Sequence, residues 1–499
     1  MRSSGWIPGP QREARASLPH PMTNSSSGRA SALARVKTLS PLFALAIVCA
    51  VPLLFPGDAP FINDEPMLIA NAFFANQQHE LAQLGLQGTR GYSYGPLPTW
   101  AYQAFLVFSR DLCLLVLVRA LVVTALTALS LAWLSRTAKL WPWFAIAIML
   151  SPYLWYYSRA LWDNSFCIPV AALAFAAYVA FLEHETLSSF ALVIASLWVL
   201  TLIHLMSVAL TLPIALHMII ARRGALWRYK WATIAVSAVA VAAAYPYWSN
   251  LFGASGSGVR HQTPRAWLFP LLAARYFSAT GLDYFFGADF APTGVVGWLA
   301  RSCSWISTIA YPLVAGGVAL AVSSVRRAVR QGRFKAREHA AGLALGVLAT
   351  EIVLSGVTRT YGHPHYYNAT WIAFALFAWL SADWLAARAR ATVVCAPYAG
   401  ALVASLLLIV SSIRRNGGTR ERYGPTLANQ MQVAAELARY QRATPLRFDV
   451  LNYQLFPDAL ATLRLLLPEQ VGEPRHATGL AIVYASSNQT DARIRLIED

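Results

Sequence analysis

The sequence predicts an all-α polytopic membrane bundle of about eleven transmembrane helices, followed by a small C-terminal α/β segment on the outer side. Three observations lead there. Hydrophobic residues make up 57% of the 499 positions and charged residues only 13%, whereas a soluble domain carries about 25% charge. Apolar runs long enough to cross a bilayer recur along most of the chain. The basic residues fall in the gaps between those runs, which is how membrane topology is encoded.

Residues 1–37 are polar and rich in Ser, Pro and Arg, and read as a disordered N-terminal arm. The first apolar run, 39–57, reads as an uncleaved span. Further spans are expected at 112–134, 142–158, 164–182, 187–203, 205–221, 231–248, 303–324, 340–357, 366–386 and 393–412. The stretch 187–221 contains no charge. As one helix it would be about 50 Å long, against a hydrocarbon core of roughly 30 Å, so it is divided at His204. All of 38–412 is thus read as one transmembrane domain, with outer loops at 58–111 and 249–302 and a separate outer α/β domain at 413–499. In that tail, helical patterns at 426–442 and 458–467 each precede a β-rich run, 447–453 and 480–484.

Orientation follows from the cations. The basic clusters 136–139, 222–230, 326–337 and 388–390 share one side of an eleven-span arrangement, together with Arg35 and all four lysines of the chain (37, 139, 230, 335). The positive-inside rule makes that side cytoplasmic. The N-terminus is then expected in the cytoplasm and the C-terminus in the periplasm of a bacterial inner (plasma) membrane.

The net charge of +17 raises nucleic acid as a partner. However, the cations lie between membrane spans, which points to membrane lipids and phosphate groups and away from nucleic acid. Neither a Walker loop nor a dinucleotide fingerprint occurs, so no nucleotide cofactor is expected. The five cysteines are widely spaced and read as small buried hydrophobes.

Polar residues at membrane depth need a reason, and here they gather at the outer ends of the spans. Asp64 and Glu65 follow the first span. They form a paired carboxylate suited to base or metal chemistry, although an acid before Pro66 also suits a helix start. Arg159 and Asp163 lie in the short turn 158–164 beside Trp162 and Asn164. Spaced i,i+4, they could simply pair with each other; alternatively the Arg holds a phosphate and Asp163 is a second acid. Arg359, Tyr361, His363 and His365 crowd the loop before the tenth span. Arg90 and Tyr94 lie in the first loop, and His204 sits at a span end. Arg119 and Glu351 fall inside spans and are expected to pair within the bundle. Carboxylates, arginines and histidines converging on one face suit an anionic, lipid-linked substrate.

The Asp64-Glu65 pair after the first span, the stretch Tyr94-Gly95-Pro96-Leu97-Pro98-Thr99-Trp100, the run 151–164 and Thr201-Leu202-Ile203-His204 together resemble the GT-C superfamily of membrane glycosyltransferases. Protein O-mannosyltransferases and the aminoarabinose transferase of lipid A are similar in layout. The resemblance covers about residues 40–385. It implies an inverting transfer of a sugar from a polyprenyl-phosphate donor to a lipid, glycan or protein acceptor on the outer face. It also implies Asp64 as the catalytic residue, Glu65 in the neighbouring acidic position, Asp163 as second acid, and Arg159, Arg90 or Arg359 as holders of the donor phosphate. Tyr94, Trp162, Asn164, Tyr361 and His204 are expected to contact substrate. Some members carry a divalent metal with His or acidic ligands, for which His363 and His365, with His204, are the candidates. Pro66 departs from the family pattern. A lipid or polysaccharide transporter or flippase, and a noncatalytic membrane scaffold, remain as alternative readings.

Overall fold

The computed structural model describes residues 40–62, 64–88, 91–253, 265–277, 294–359, 363–419, 423–443, 446–450, 457–467, 479–485 and 492–498. The expected N-terminal arm lies outside them, as do Arg90 and Tyr361 and half of the 249–302 loop.

The chain is a polytopic helical membrane protein. After α1 (Ser40–Leu53) come α2 (Asp64–Gln77) and α3 (Leu97–Phe108), which belong to the first loop. The bundle continues with α4 (Leu112–Ala138), α5 (Phe144–Met149), α6 (Pro152–Arg159), α7 (Cys167–His184), α8 (Leu187–Ile203) and α9 (Val208–Ala221). Next are α10 (Arg223–Arg228), α11 (Lys230–Ala243) and α12 (Tyr245–Gly253). It closes with α13 (Gly294–Ser307), α14 (Ala310–Gln331), α15 (Ala336–Thr358), α16 (Trp371–Ala386) and α17 (Ala391–Asn416).

Among the described residues five helices are long and apolar enough to cross a bilayer, or six if the pair α11 and α12, bent by 77°, is one broken span. Four further apolar helices are shorter: Ser40–Leu53, Leu187–Ile203, Leu205–Ala221 and Trp371–Ala386. This is fewer than the about eleven full spans expected. At 142–158 the reason is local. Pro152 cannot continue a helix from the residues before it, so Ser151 turns extended (ψ 127°) and α5 and α6 are two short pieces. At 187–221 the division at His204 is seen: its backbone is extended (φ −158°, ψ 141°) between α8 and α9.

Two of the longer helices, α7 and α16, are buried nearly all round, as is the short α6. α7 packs against α4 and α8, and α16 against α14. The α14–α16 crossing is tight because Gly317 lies on the backbone of α16. A Cβ there would stand 1.7 Å from the Phe377 carbonyl oxygen. Outward faces stay apolar, with Leu129 68% and Val393 76% exposed, as suits helices solvated by lipid.

The tail adds α18 (Leu427–Ala443), α19 (Pro457–Leu466) and a three-stranded sheet of β1 (Leu446–Val450), β2 (Gly479–Ala485) and β3 (Ala492–Glu498). β1 and β2 are parallel, with Phe448 opposite Ala481, while β2 and β3 are antiparallel, with Ile482 opposite Arg495. The tail helices share a hydrophobic cluster with the first loop: Phe61, Leu68 and Phe73 pack with Leu437, Leu460 and Leu463. Three hydrogen bonds fix the contact. Leu427 N–H donates to Ala59 O at 2.9 Å, Gln430 Nε2 to Phe61 O at 2.9 Å, and Thr462 Oγ1 to Pro66 O at 3.1 Å.

Candidate active site

The site is built where the first loop meets the 151–165 turn and the segment before α16. Asp64 and Glu65 form the first turn of α2, where acids are favoured by the helix dipole. They face different ways. Glu65 is buried (2% exposed), while Asp64 stays partly exposed. Asp64 Oδ2 accepts from the Trp162 indole N–H at 2.7 Å. Burial raises the Asp64 carboxyl above the ordinary aspartate range, and the Trp162 bond opposes that shift. Glu65 is pushed well above its ordinary value, by burial first and then by the charges of Asp64 and Asp163.

Asp163 is the third acid, 1% exposed, at the start of the turn that leads into α7. Its Oδ1 accepts from Asn164 N–H at 2.6 Å, while Oδ2 has no hydrogen-bond partner among the described residues. Three carboxyl groups from two distant stretches of chain therefore act on one another. Asn164 is itself committed: its Oδ1 accepts from Asn368 Nδ2 at 2.9 Å, and Asn368 Oδ1 accepts from Tyr153 OH at 2.5 Å.

The arginines have separate work. No ion pair joins Arg159 to Asp163 among the described residues. Arg159, 1% exposed, instead donates from Nη2 to Phe55 O at 2.5 Å and lies over the Trp155 ring at 4.7 Å. Its Nε has no partner among the described residues. Phe55 presents that carbonyl from a left-handed backbone (φ 54°), an uncommon conformation for a residue with a side chain. Beside it, Asp58 Oδ2 pairs with Arg414 at 3.5 Å. Arg119 ties the turn from inside the bundle. It donates to Ser158 O at 2.7 Å, to Tyr157 O at 3.2 Å and to Ser165 Oγ. Arg359 caps α15 in a left-handed conformation with an exposed side chain, and makes no hydrogen bond or ion pair with the acids. Glu351 is buried inside α15, with Oε2 unpartnered among the described residues.

Close backbone contact seats the first loop. A Cβ on Gly95 would stand 1.8 Å from Leu202 O, at the end of α8. That approach lays the Tyr94 ring on His204, 3.9 Å between centroids. His204 is also a cap, accepting the Met206 N–H at 3.2 Å through Nδ1. Trp162 continues the aromatic row to His365 (4.6 Å), which is stacked on His363 (5.5 Å, interplanar angle 7°). His365 is pushed well below the ordinary imidazole range, by burial and then by the neighbouring His363 and His204. Among the described residues no group of three His, Cys, Asp or Glu is placed to hold a metal ion.

Sequence reasoning passed over Asn368 and Tyr153. Asn368, fully buried just before an apolar helix, carried the signal of a polar group at membrane depth.

No family model matches the chain, and no curated protein sequence does. Two crystal structures of ArnT from Cupriavidus metallidurans are similar to it in structure, each at 14% sequence identity. The one bound to undecaprenyl phosphate covers 89% of this chain and 92% of its own, with a TM-score of 0.49. The apo state covers 91% and 93%, with a TM-score of 0.45.

Proposed function

We propose that the chain is an inverting glycosyltransferase that moves a sugar from a polyprenyl-phosphate donor to a lipid, glycan or protein hydroxyl on the outer face of a bacterial inner membrane. The observation that carries this reading is the convergence of Asp64, Glu65 and Asp163 beside the Trp162 indole. The motifs shared with the GT-C superfamily supply the donor class and the orientation.

In this reading Asp64 is the base. It is the most accessible of the three acids, and its second oxygen is held by Trp162. The acceptor hydroxyl attacks the anomeric carbon from the face opposite the phosphate. Its proton passes to Asp64, the new C–O bond forms, and the bond to the phosphate breaks. The leaving group departs as a polyprenyl phosphate anion, stabilised by cations, so no strong acid is needed at it. Arg159 and Arg90 are the proposed phosphate partners, with the exposed Arg359 a more peripheral one. Glu65 and Asp163 support the base: their mutual repulsion keeps a proton within the cluster, ready to exchange with Asp64. Tyr94, His204 and Tyr361 are proposed to flank the sugar. No step is routed through a metal.

The test is mass spectrometry of purified protein incubated with polyprenyl-phosphate sugars and a membrane extract. Undecaprenyl phosphate is the first carrier to try. Wild type should consume one donor and release its carrier, and Asp64→Asn should slow this by about 10²–10⁴-fold while remaining folded. Full turnover by the variant would sink the mechanism.

A further inference from the structure

The helical segment 163–184 begins at the acids and runs through the bundle to its other end. Asp163 and Leu182 stand about 28 Å apart along that helix. Around Leu182 lies a cavity of about 520 Å³, between the C-terminal halves of α7 and α9 and the first three turns of α15. Its size falls within the range of small-molecule sites, roughly 300–1,000 Å³.

The cavity has a polarity gradient. Away from the helix ends its lining is apolar at Pro213, Leu343 and Gly346, with Leu182 beside the mouth. Gly342 and Gly346, one turn apart, also line it, and a Cβ on Gly346 would point at Pro213 across the space. In its wall the Tyr178 hydroxyl and His217 Nδ1 satisfy each other at 2.5 Å. The remaining polar groups, Arg222, His339 and Glu338, gather at the helix ends. Glu338 is occupied there, since its carboxylate accepts the Lys335 N–H at 3.1 Å as a helix cap. Arg222 and Arg228 share a single carboxylate, that of Glu185, at 3.0 and 3.4 Å. Against the carboxylates of Glu183, Glu185 and Glu338 stand Arg222 and Arg228 and, in the adjoining pocket, Arg327, Arg333 and Lys335, so the mouth keeps a surplus of positive charge.

We infer that this cavity binds an anionic glycerophospholipid of the surrounding bilayer, with its phosphate at Arg222 and His339 and one acyl chain between Pro213 and Gly346. A polar solute would leave the apolar part unfilled, and a zwitterionic lipid would bring its own cation to a basic mouth. The site is separate from the acids, so it stands or falls independently of the transfer reaction.

Native mass spectrometry of the purified protein tests it, with phosphatidylglycerol, phosphatidylcholine and inorganic phosphate as probes. Wild type should retain phosphatidylglycerol about tenfold more tightly than phosphatidylcholine. Gly346→Leu should abolish that retention. A Cβ at Gly346 meets only Pro213 Cβ, at an ordinary 3.5 Å, so the longer side chain fills the cavity. Should the variant fail to fold, a photoreactive phosphatidylglycerol on wild type decides instead: saturable crosslinks should map to 213–222 and 334–346. Equal retention by folded variant and wild type, equal retention of the two lipids, or crosslinks confined to other helices would overturn the proposal. Displacement of the lipid by inorganic phosphate alone would reduce the site to a phosphate pocket and overturn the lipid assignment.

Discussion

The Trp162 indole donates to Asp64 at 2.7 Å, and its ring lies 4.6 Å from that of His365. One side chain thus joins the first loop, the 151–165 turn and the segment before α16. Trp162→Phe removes the donor but keeps the ring. A hydrogen bond to a charged group is worth about 1.5–3 kcal/mol, so turnover should fall by roughly 10- to 100-fold. The lost bond also lifts the Asp64 carboxyl further, because that bond lowers it in the intact site. The acid limb of the pH–rate profile should therefore move to higher pH, and an unmoved limb would separate Asp64 from the base role. Glu65 carries an opposite lesson for stability. Its carboxyl is raised in the folded state, so the folded state holds its proton more tightly than the unfolded chain. Any advantage is full below the unfolded value and is lost as pH rises from there through the folded one. Glu65→Gln, which keeps a neutral side chain, should raise the unfolding temperature at neutral pH while lowering turnover. A scan of both properties checks it. The acids and the histidines could be singled out in sequence because ionisable side chains at the ends of apolar spans are rare. Their partners were not: nothing in local spacing shows that Asn164 is tied to Asn368, 204 residues away.

Helices were read correctly where length alone constrains them. The charge-free run 187–221 had to break, and it breaks at His204. Hydropathy failed at 142–158, since Pro152 is silent on an apolar scale yet ends the run as one helix. Helix contacts were also hidden. Gly317 looks like any glycine of a membrane helix until Phe377 O is seen 1.7 Å from where its Cβ would be. Gly317→Ala must push α14 and α16 apart, at a cost of about 1–3 kcal/mol. Gly316→Ala is the control, because its Cβ would meet only the Ser381 hydroxyl, at 3.0 Å. Thermal unfolding in detergent should show a clear loss for Gly317→Ala and a smaller one for Gly316→Ala. Equal losses would mean that the crossing is not as close as described.

At the scale of the whole molecule, the segment 163–184 sets the acids and the basic clusters 222–230 and 326–337 at opposite ends. The proposed orientation puts the acids outside. In a background with the five cysteines replaced, a cysteine at Gln83 should react with a membrane-impermeant maleimide in cells with a permeabilised outer envelope. One at Arg333 should react only after the inner membrane is opened. The reverse pattern would invert the topology and remove the site from the outer face.

The packing of α18 and α19 on the first loop has a consequence in time. Leu427 and Thr462 bond to Ala59 and Pro66, partners that leave the ribosome more than 360 residues earlier. At ~5–20 residues per second, about 20–70 s separate the synthesis of the acidic loop from that of its cover. During that interval the apolar face of α2, with Leu68 and Phe73, lacks the surface that buries it in the finished protein. A nascent chain therefore carries Asp64 and Glu65 on an unfinished element, and under the proposed function turnover should wait until residues 427–462 have been made. Premature termination should yield an inserted but inert bundle that is exposed to envelope proteases at its first loop.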